Sequence, residues 1–311
     1  MNRKSAYGRY NLSVWLDGKM LPYDKASVPI LTHSLQYGSG IFEGIRSYET
    51  GKGPAIFRLD DHVKRFINSA KIYYMDLGYS QSDIKKAVIE VVKANKLGSC
   101  YIRPFAFYDT DAIGVNPNGK KVSVFIAAVP FGAYFGGGKE KGVHCKVSSW
   151  HRINSLILPP QAKASGNYVN SILASMEAVR SGAEEAILTS TSGYVAEGPG
   201  ENLFMVKDNM LLTPSRESDI LLGITRDSVI KIAEGEGIEV AERSIHREEL
   251  YTADELFFAG TAAEVTPIVS VDSISVGTGK PGPITRIIAE KYSSIVSGKE
   301  EEYSEWLTYV K

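Results

Sequence analysis

Val122-Ser123-Val124-Phe125-Ile126-Ala127-Ala128-Val129-Pro130-Phe131-Gly132-Ala133-Tyr134-Phe135-Gly136-Gly137-Gly138 runs for 17 residues without a charge, between Lys121 and Lys139. Such a run invites a membrane reading, but a span needs about 20 apolar residues, and Pro130 with the triple glycine interrupts this one. It divides instead into a buried strand, Val122 to Val129, and a glycine-rich loop whose composition is that of an interdomain connection. A boundary there predicts a small α/β domain over 1–130, a loop over 131–140 and a larger, strand-rich domain over 141–311. That division suits 311 residues, which exceed one typical domain.

Upstream of the run, Val14-Trp15-Leu16 reads as a strand turned by Asp17-Gly18, a strong hairpin dipeptide. Ile45 to Tyr48 and Ala55 to Phe57 read as a second hairpin. Val63, Phe66, Ile67 and Ala70 recur at helical spacing, and Ser80 with Asp83 opens a further helix through a capping box. Tyr101 to Tyr108 is a strand. Downstream, strands are predicted over Val143 to Val147, Glu185 to Thr189, Asn202 to Val206, Met210 to Leu212 and Glu255 to Ala259. Helices are predicted over Val169 to Arg180, Arg226 to Glu234 and Ile284 to Ile295. The fold class is mixed α/β, of α+β type.

Hydrophobic content of 43% with 23% charged residues is that of a folded globular chain. Thirty-five basic against 36 acidic residues leave a net charge of −1, without the basic footprint of a nucleic-acid binder, so a small-molecule partner is expected. Cys100 and Cys145 have no Cys or His neighbour at ligand spacing, which argues against a disulfide framework and a zinc site and points to a reducing compartment. Met1 to Tyr10 lacks the apolar stretch of a secretory signal, so the cytoplasm is expected and no membrane. The five histidines form no ligand cluster in sequence.

Three segments have chemical potential. Lys163, in Gln161-Ala162-Lys163-Ala164-Ser165-Gly166-Asn167-Tyr168, is flanked by small residues that let a planar ligand approach, and a lysine amine condenses with aldehydes. Its local pattern equally fits a solvated surface lysine. Glu197 and Glu201 lie in Tyr194-Val195-Ala196-Glu197-Gly198-Pro199-Gly200-Glu201-Asn202, where a carboxylate is aimed at a ligand or simply occupies a tight turn. Gly223-Ile224-Thr225-Arg226 and Gly260-Thr261-Ala262-Ala263 offer small residues with N–H groups for an anion, or plain capping. Neither Gly138-Lys139 nor Gly279-Lys280 is followed by Ser or Thr, which excludes a nucleotide-triphosphate loop.

These strings, together with Gln36-Tyr37-Gly38, Phe42-Glu43-Gly44-Ile45-Arg46, Phe57-Arg58, Tyr101-Ile102-Arg103-Pro104 and Gly132-Ala133-Tyr134, occur in one order. In that order the chain resembles the branched-chain amino acid aminotransferases, within the class IV (fold type IV) group of pyridoxal-phosphate enzymes, over nearly its whole length. The resemblance implies a two-domain fold type IV enzyme with pyridoxal 5′-phosphate bound covalently to Lys163. That lysine also moves the proton between the substrate α-carbon and the cofactor. Tyr168 is implied as partner of the cofactor's phenolic oxygen, and Glu197 as partner of its ring nitrogen. Arg58, Ile224, Thr225 and Thr261 are implied as holders of the phosphate.

For substrate, the resemblance implies that N–H groups around Thr261, Ala262 and Ala263, with Tyr101, take the α-carboxylate. Phe42, Tyr37, Tyr134, Trp150 and Tyr168 line the side-chain pocket, and Arg103 pairs the γ-carboxylate of glutamate. The implied reaction carries an amino group from L-leucine, L-isoleucine or L-valine to 2-oxoglutarate, in a homodimer that shares Tyr101 and Tyr134 across its interface. D-amino acid or (R)-amine aminotransferases and aminodeoxychorismate lyase, of the same fold, are the alternatives, beside an idle binding protein that kept it. Arg103 and Thr261-Ala262-Ala263 favour the branched-chain reading. Phe131, Ser165 and Pro199 depart from the family pattern and bear on substrate breadth.

Overall fold

In the computed structural model, which describes residues 11–110, 113–132 and 141–311, the uncharged run is a strand over Val122–Pro130. The glycine-rich residues 133–140, Tyr134 among them, and positions 1–10 lie outside the described residues. The strand belongs to a sheet of β1 (Ser13–Leu16), β2 (Lys19–Pro22), β3 (Gly40–Phe42), β4 (Ile45–Tyr48), β5 (Ala55–Phe57), β6 (Cys100–Tyr108), β7 (Val122–Pro130) and β16 (Leu307–Tyr309). Their order is β16-β5-β4-β6-β7-β1-β2, with β3 beside β6. Every pairing is antiparallel.

Alternation along β6 decides the two faces of this sheet. Ile102, Pro104 and Ala106 are buried, while Tyr101, Arg103 and Phe105 are partly accessible, because successive strand side chains point to opposite faces. The buried face meets α2 (Leu59–Ile72) and α3 (Gln81–Ala94), which follow the short α1 (His33–Tyr37). Val63, Phe66, Ala70, Ile84, Val88 and Val91 share one core with Ile102, Ala106, Val124 and Ile126. The Ser80–Asp83 capping box forms as predicted. Pro104 has no N–H to give a ladder, and it stands where β3 ends and β4 begins, its carbonyl accepting from Glu43 N at 2.9 Å.

The second sheet contains β8 (Val143–Val147), β9 (Glu185–Ile187), β10 (Asn202–Lys207), β11 (Met210–Pro214), β12 (Val240–Arg243), β13 (Glu255–Gly260), β14 (Glu264–Val271) and β15 (Ile274–Ser275). Its order is β12-β11-β10-β13-β14-β8-β9, with β15 beside β14. Parallel pairs β11–β12, β8–β14 and β8–β9 accompany antiparallel ones, so this sheet is mixed. Around it run α4 (Tyr168–Arg180), α5 (Ile224–Gly235), α6 (Glu249–Thr252) and α7 (Pro283–Val296). Leu203, Met205, Leu256, Phe258 and Ile268 fill its core.

The chain forms two compact units. The first is made of the described residues of Met1–Gly132 with Ala162–Gly166 and Val296–Lys311, and the second of those of Ala133–Gln161 and Asn167–Ile295. A single boundary at the glycine-rich loop assigns neither 162–166 nor 296–311 to the first unit, because both returns are made by long-range strand pairing that local sequence does not announce. Among the described residues no helix is long and apolar enough to cross a membrane, and no group of three or more His, Cys, Asp or Glu is placed to hold a metal. Cys100 and Cys145 are buried and unbridged.

Candidate active site

In the first unit, Lys163 is seated by its main chain. Phe42 N donates to Lys163 O at 2.9 Å, Ala164 bridges Ile41, and Lys163 N donates to Ser69 Oγ of α2 at 3.0 Å. Ser165 donates its hydroxyl to the Gly40 carbonyl at 2.9 Å and so ties the segment to β3. The Lys163 Nζ lies 5.3 Å from the Phe42 ring centroid. A lysine held by backbone on both sides presents its amine from a fixed origin.

Arg103 uses the same phenylalanine. Its guanidinium carbon is 4.5 Å from the Phe42 centroid and 5.2 Å from that of Tyr101, and Nη2 donates to the Tyr101 hydroxyl at 3.0 Å. Arg103 Nε is buried without a hydrogen-bond partner, a donor that an acidic ligand group can satisfy. Tyr101 reaches this position by crossing Gly44, where any Cβ would overlap its hydroxyl. Phe131 tilts against Tyr101 at 5.1 Å, and Arg46 stacks on Phe131 and Tyr48. Tyr101 and Arg103 are thus paired within one chain, so any donation across an interface carries both.

Arg58 belongs to the same unit. It occupies a left-handed backbone position at the start of α2, donates from Nε to Asp61 at 2.5 Å and lies over Trp306 at 4.9 Å. The arginine gathered with His62 is Arg65, which sequence reasoning did not single out. Arg65 donates from Nε and Nη2 to Glu43 at 2.6 and 2.9 Å, and His62 Nδ1 meets the same carboxylate at 2.7 Å. Glu43 is fully buried. Burial pushes its carboxyl up, but the Arg65 charge and the His62 hydrogen bond outweigh it and hold the group well below the usual range. His62 is pushed below its ordinary value, chiefly by burial; Glu43 opposes that shift, and the charges of Arg65 and Lys163 add to it. The available signal was a lone acid between Ile41-Phe42 and Ile45, within a run otherwise fit for a sheet interior.

In the second unit, Glu197 is buried and accepts from Arg152 Nε at 2.7 Å, Asn202 Nδ2 at 3.0 Å and Leu221 N at 3.2 Å. Arg152 and Asn202 had no assigned role in the sequence. Asn202 also donates to the Leu221 carbonyl, and its Oδ1 lies where a Cβ on residue 223 would fall, so only glycine fits there. Gly223 is the N-cap of α5 and brings no side-chain cap to its first N–H groups, those of Ile224 and Thr225. Thr261, Ala262 and Ala263 form the turn between β13 and β14, with Ala263 buried. Tyr168 is the first residue of α4.

Of the remaining predicted residues, Tyr37 on α1 and Trp150 are exposed, at 41% and 47%, and Tyr134 lies outside the described residues. The donor set suits pyridoxal phosphate in its chemistry. The first unit offers a backbone-fixed amine for an aldehyde; the second, taken by itself, offers a buried anion for a ring nitrogen and a helix start without a side-chain cap for a phosphate.

The family model for amino-transferase class IV matches residues 40–271. A branched-chain-amino-acid aminotransferase of Escherichia coli (strain K12) is 45% identical over 299 residues, covering 96% of this chain and 97% of that protein. A branched-chain aminotransferase from the archaeon Thermoproteus uzoniensis, solved with norvaline, superposes with a TM-score of 0.93 at 48% identity, over 96% of this chain and 99% of that one. A T.th. branched-chain amino acid aminotransferase, complexed with N-(5′-phosphopyridoxyl)-L-glutamate, gives 0.93 at 46% identity, over 97% and 99%.

Proposed function

Because the chain belongs to the class IV aminotransferases, and within them to the pyridoxal-phosphate-dependent branched-chain amino acid aminotransferases, we propose that it moves the amino group of L-leucine, L-isoleucine or L-valine reversibly to 2-oxoglutarate. The observation that carries this reading is Arg103 lying on Phe42 and Tyr101 while bonded to the tyrosine hydroxyl. An aliphatic side chain meets the ring faces. A γ-carboxylate meets the guanidinium and the hydroxyl, which offset the several kcal/mol that burying an unpaired carboxylate costs. The norvaline and glutamate moieties bound to the two solved relatives are these same two chemistries.

Pyridoxal phosphate supplies an aldehyde that takes up amines and a ring that accepts the electron pair left when the α-proton departs. In this reading Lys163 bonds the cofactor and, once released, holds the proton in transit at its Nζ. Glu197 keeps the ring nitrogen protonated, and Tyr168 donates to the phenolic oxygen. Ile224 and Thr225, through the start of α5, and Thr261 hold the phosphate. For its cationic partner the resemblance points to Arg58, at the start of α2, since the Arg65 guanidinium is taken up by both oxygens of Glu43. The N–H groups of Thr261 and Ala262, backed by Ala263, take the α-carboxylate together with Tyr101. Phe42, Tyr37, Tyr134, Trp150 and Tyr168 wall the side-chain pocket.

We further infer a cytoplasmic homodimer. Ile30, Leu35, Tyr37, Ile113 and Val115 of the first unit are exposed, as are Ile172, Met176 and Val179 along α4, and apolar faces of this kind mark interfaces. Sedimentation at micromolar protein is expected to give a species of at least two chains, and a monomer would refute it. The substrate reading is tested with Arg103→Leu. The KM for 2-oxoglutarate is expected to rise about 100-fold, the size of a lost charge-assisted pair, while the KM for leucine moves less than about 5-fold. Equal losses would reject the shared pocket.

A further inference from the structure

One face of α2 carries His62, Arg65 and Ser69, at the spacing that stacks helix positions over one another. Ser69, fully buried, takes the Lys163 N–H. Serine is a weaker helix former than alanine, so at a mid-helix position its hydroxyl is explained by this bond rather than by the helix. One turn and two turns earlier, Arg65 and His62 converge on Glu43, the residue after Phe42, whose own N–H holds the Lys163 carbonyl. Helix α2 therefore reaches Lys163 by two routes, directly through Ser69 and indirectly through Glu43 and Phe42.

We propose that Glu43 is a positioning residue of this site, which fixes Arg65 and His62 on the face of α2 and balances the charge that Arg65 brings towards Lys163. The inference rests on the reading of Lys163 as the lysine that bears the cofactor. An ionised carboxylate only accepts hydrogen bonds, so the His62 proton between the two groups sits on Nδ1. Glu43 and Arg65 together sum to zero, and His62 stays neutral. Within the first unit, the charged or titratable groups near Lys163 include His62 and Arg65 from α2, Glu43 from the β3–β4 corner, and Arg103 with Tyr101 across the Phe42 ring. Ala162, Ala164 and Ser165 add none. Without the Glu43 charge, Arg65 loses this counter-charge, and a protonated nitrogen on Lys163 is disfavoured.

The test is a pH titration of the bound cofactor's absorbance in the wild type, Glu43→Gln and Glu43→Asp. Glutamine keeps the shape and loses the charge; aspartate does the reverse. The expected result is a midpoint lowered by about one unit in Glu43→Gln and unmoved within about 0.3 unit in Glu43→Asp. A purely structural role ranks the two variants the other way, and that ranking, or an unmoved Glu43→Gln, overturns the proposal. Turnover in Glu43→Gln is expected to fall alike with leucine and glutamate; a KM split between them would assign Glu43 to the side-chain pocket and also overturn it. Should Glu43→Gln not fold, histidine-selective nitrogen NMR of the wild-type holoenzyme decides. An Nδ1-protonated, neutral His62 whose titration lies below the ordinary 6.5 supports the proposal, and titration at or above 6.5 refutes it. Borohydride reduction with peptide mapping separates the two failures. A label on another lysine sinks the cofactor reading, whereas a label on Lys163 with an unmoved midpoint sinks this inference alone.

Discussion

Glu43 in the first unit and Glu197 in the second are both buried carboxylates facing an arginine, yet they are held differently. Glu43 receives one guanidinium on both oxygens, with further bonds from an imidazole and the Gly44 N–H. Glu197 receives a guanidinium bond accompanied by bonds from a neutral amide and a backbone N–H. Neutral donors fix a carboxylate's direction without cancelling its field, whereas a guanidinium gripping both oxygens largely does. On the proposed reading the two acids do different work: Glu197 serves a cationic ring nitrogen, and Glu43 balances the guanidinium beside it.

Replacing each acid with alanine should separate these roles. The largest effect is expected in Glu197→Ala, with turnover lowered about a thousand-fold, near the upper range of proton-control effects; steady-state kinetics showing less than a ten-fold loss would erase the distinction. Stability should rank the pair the other way. Breaking a buried ion pair costs about 3–5 kcal/mol, and Glu43→Ala strands an imidazole as well as a guanidinium, so its urea midpoint should fall at least as far as that of Glu197→Ala. The acid limb sharpens this further. Because Glu43 titrates below the ordinary 4.5, its stabilisation is fully present above that value and is withdrawn as pH falls towards the depressed folded one. The stability gap between wild type and Glu43→Gln should therefore narrow below pH 4.5, and a constant gap would contradict the ion pair. The smallest effect is expected in Asn202→Ala. It removes one neutral donor from Glu197, about 1 kcal/mol, and should lower turnover a few-fold in the same kinetic assay.

Most elements were legible because they follow local rules. The strands β1, β4, β5, β6 and β7, the α3 cap and the start of α4 come from periodicity and turn residues. β14, fully buried over eight residues, was not. Pro267 interrupts its sequence, but β8 takes up pairing only from Ile268, so the ladder on that side begins after the residue that lacks a donor. The site divides the same way. Lys163 and Glu197 stand in short strings of small residues that fit a surface lysine and a tight turn equally well, and the order of such strings along the chain is what marked them. Arg152 lies 45 positions from the acid it holds, and Arg65 lies 22 from Glu43. Neither separation leaves any local pattern, since tertiary hydrogen bonds have no period. Arg58 was marked only through the resemblance, and its contacts with Asp61 and Trp306 come from the fold.

The chain passes between its two units after Gly132, Gln161, Gly166 and Ile295, and this constrains inheritance. Residues 162–166 need Ile41, Phe42 and Ser69 to hold them, and Leu307–Tyr309 needs Ala55–Phe57 to pair with. A gene shuffled between relatives with one crossover at the glycine-rich loop would hand the lysine and the last strand to a foreign first sheet. Chimeras should tolerate exchange only when 1–132, 162–166 and 296–311 come from the same parent. Three separate stretches of the gene are thereby bound to one lineage.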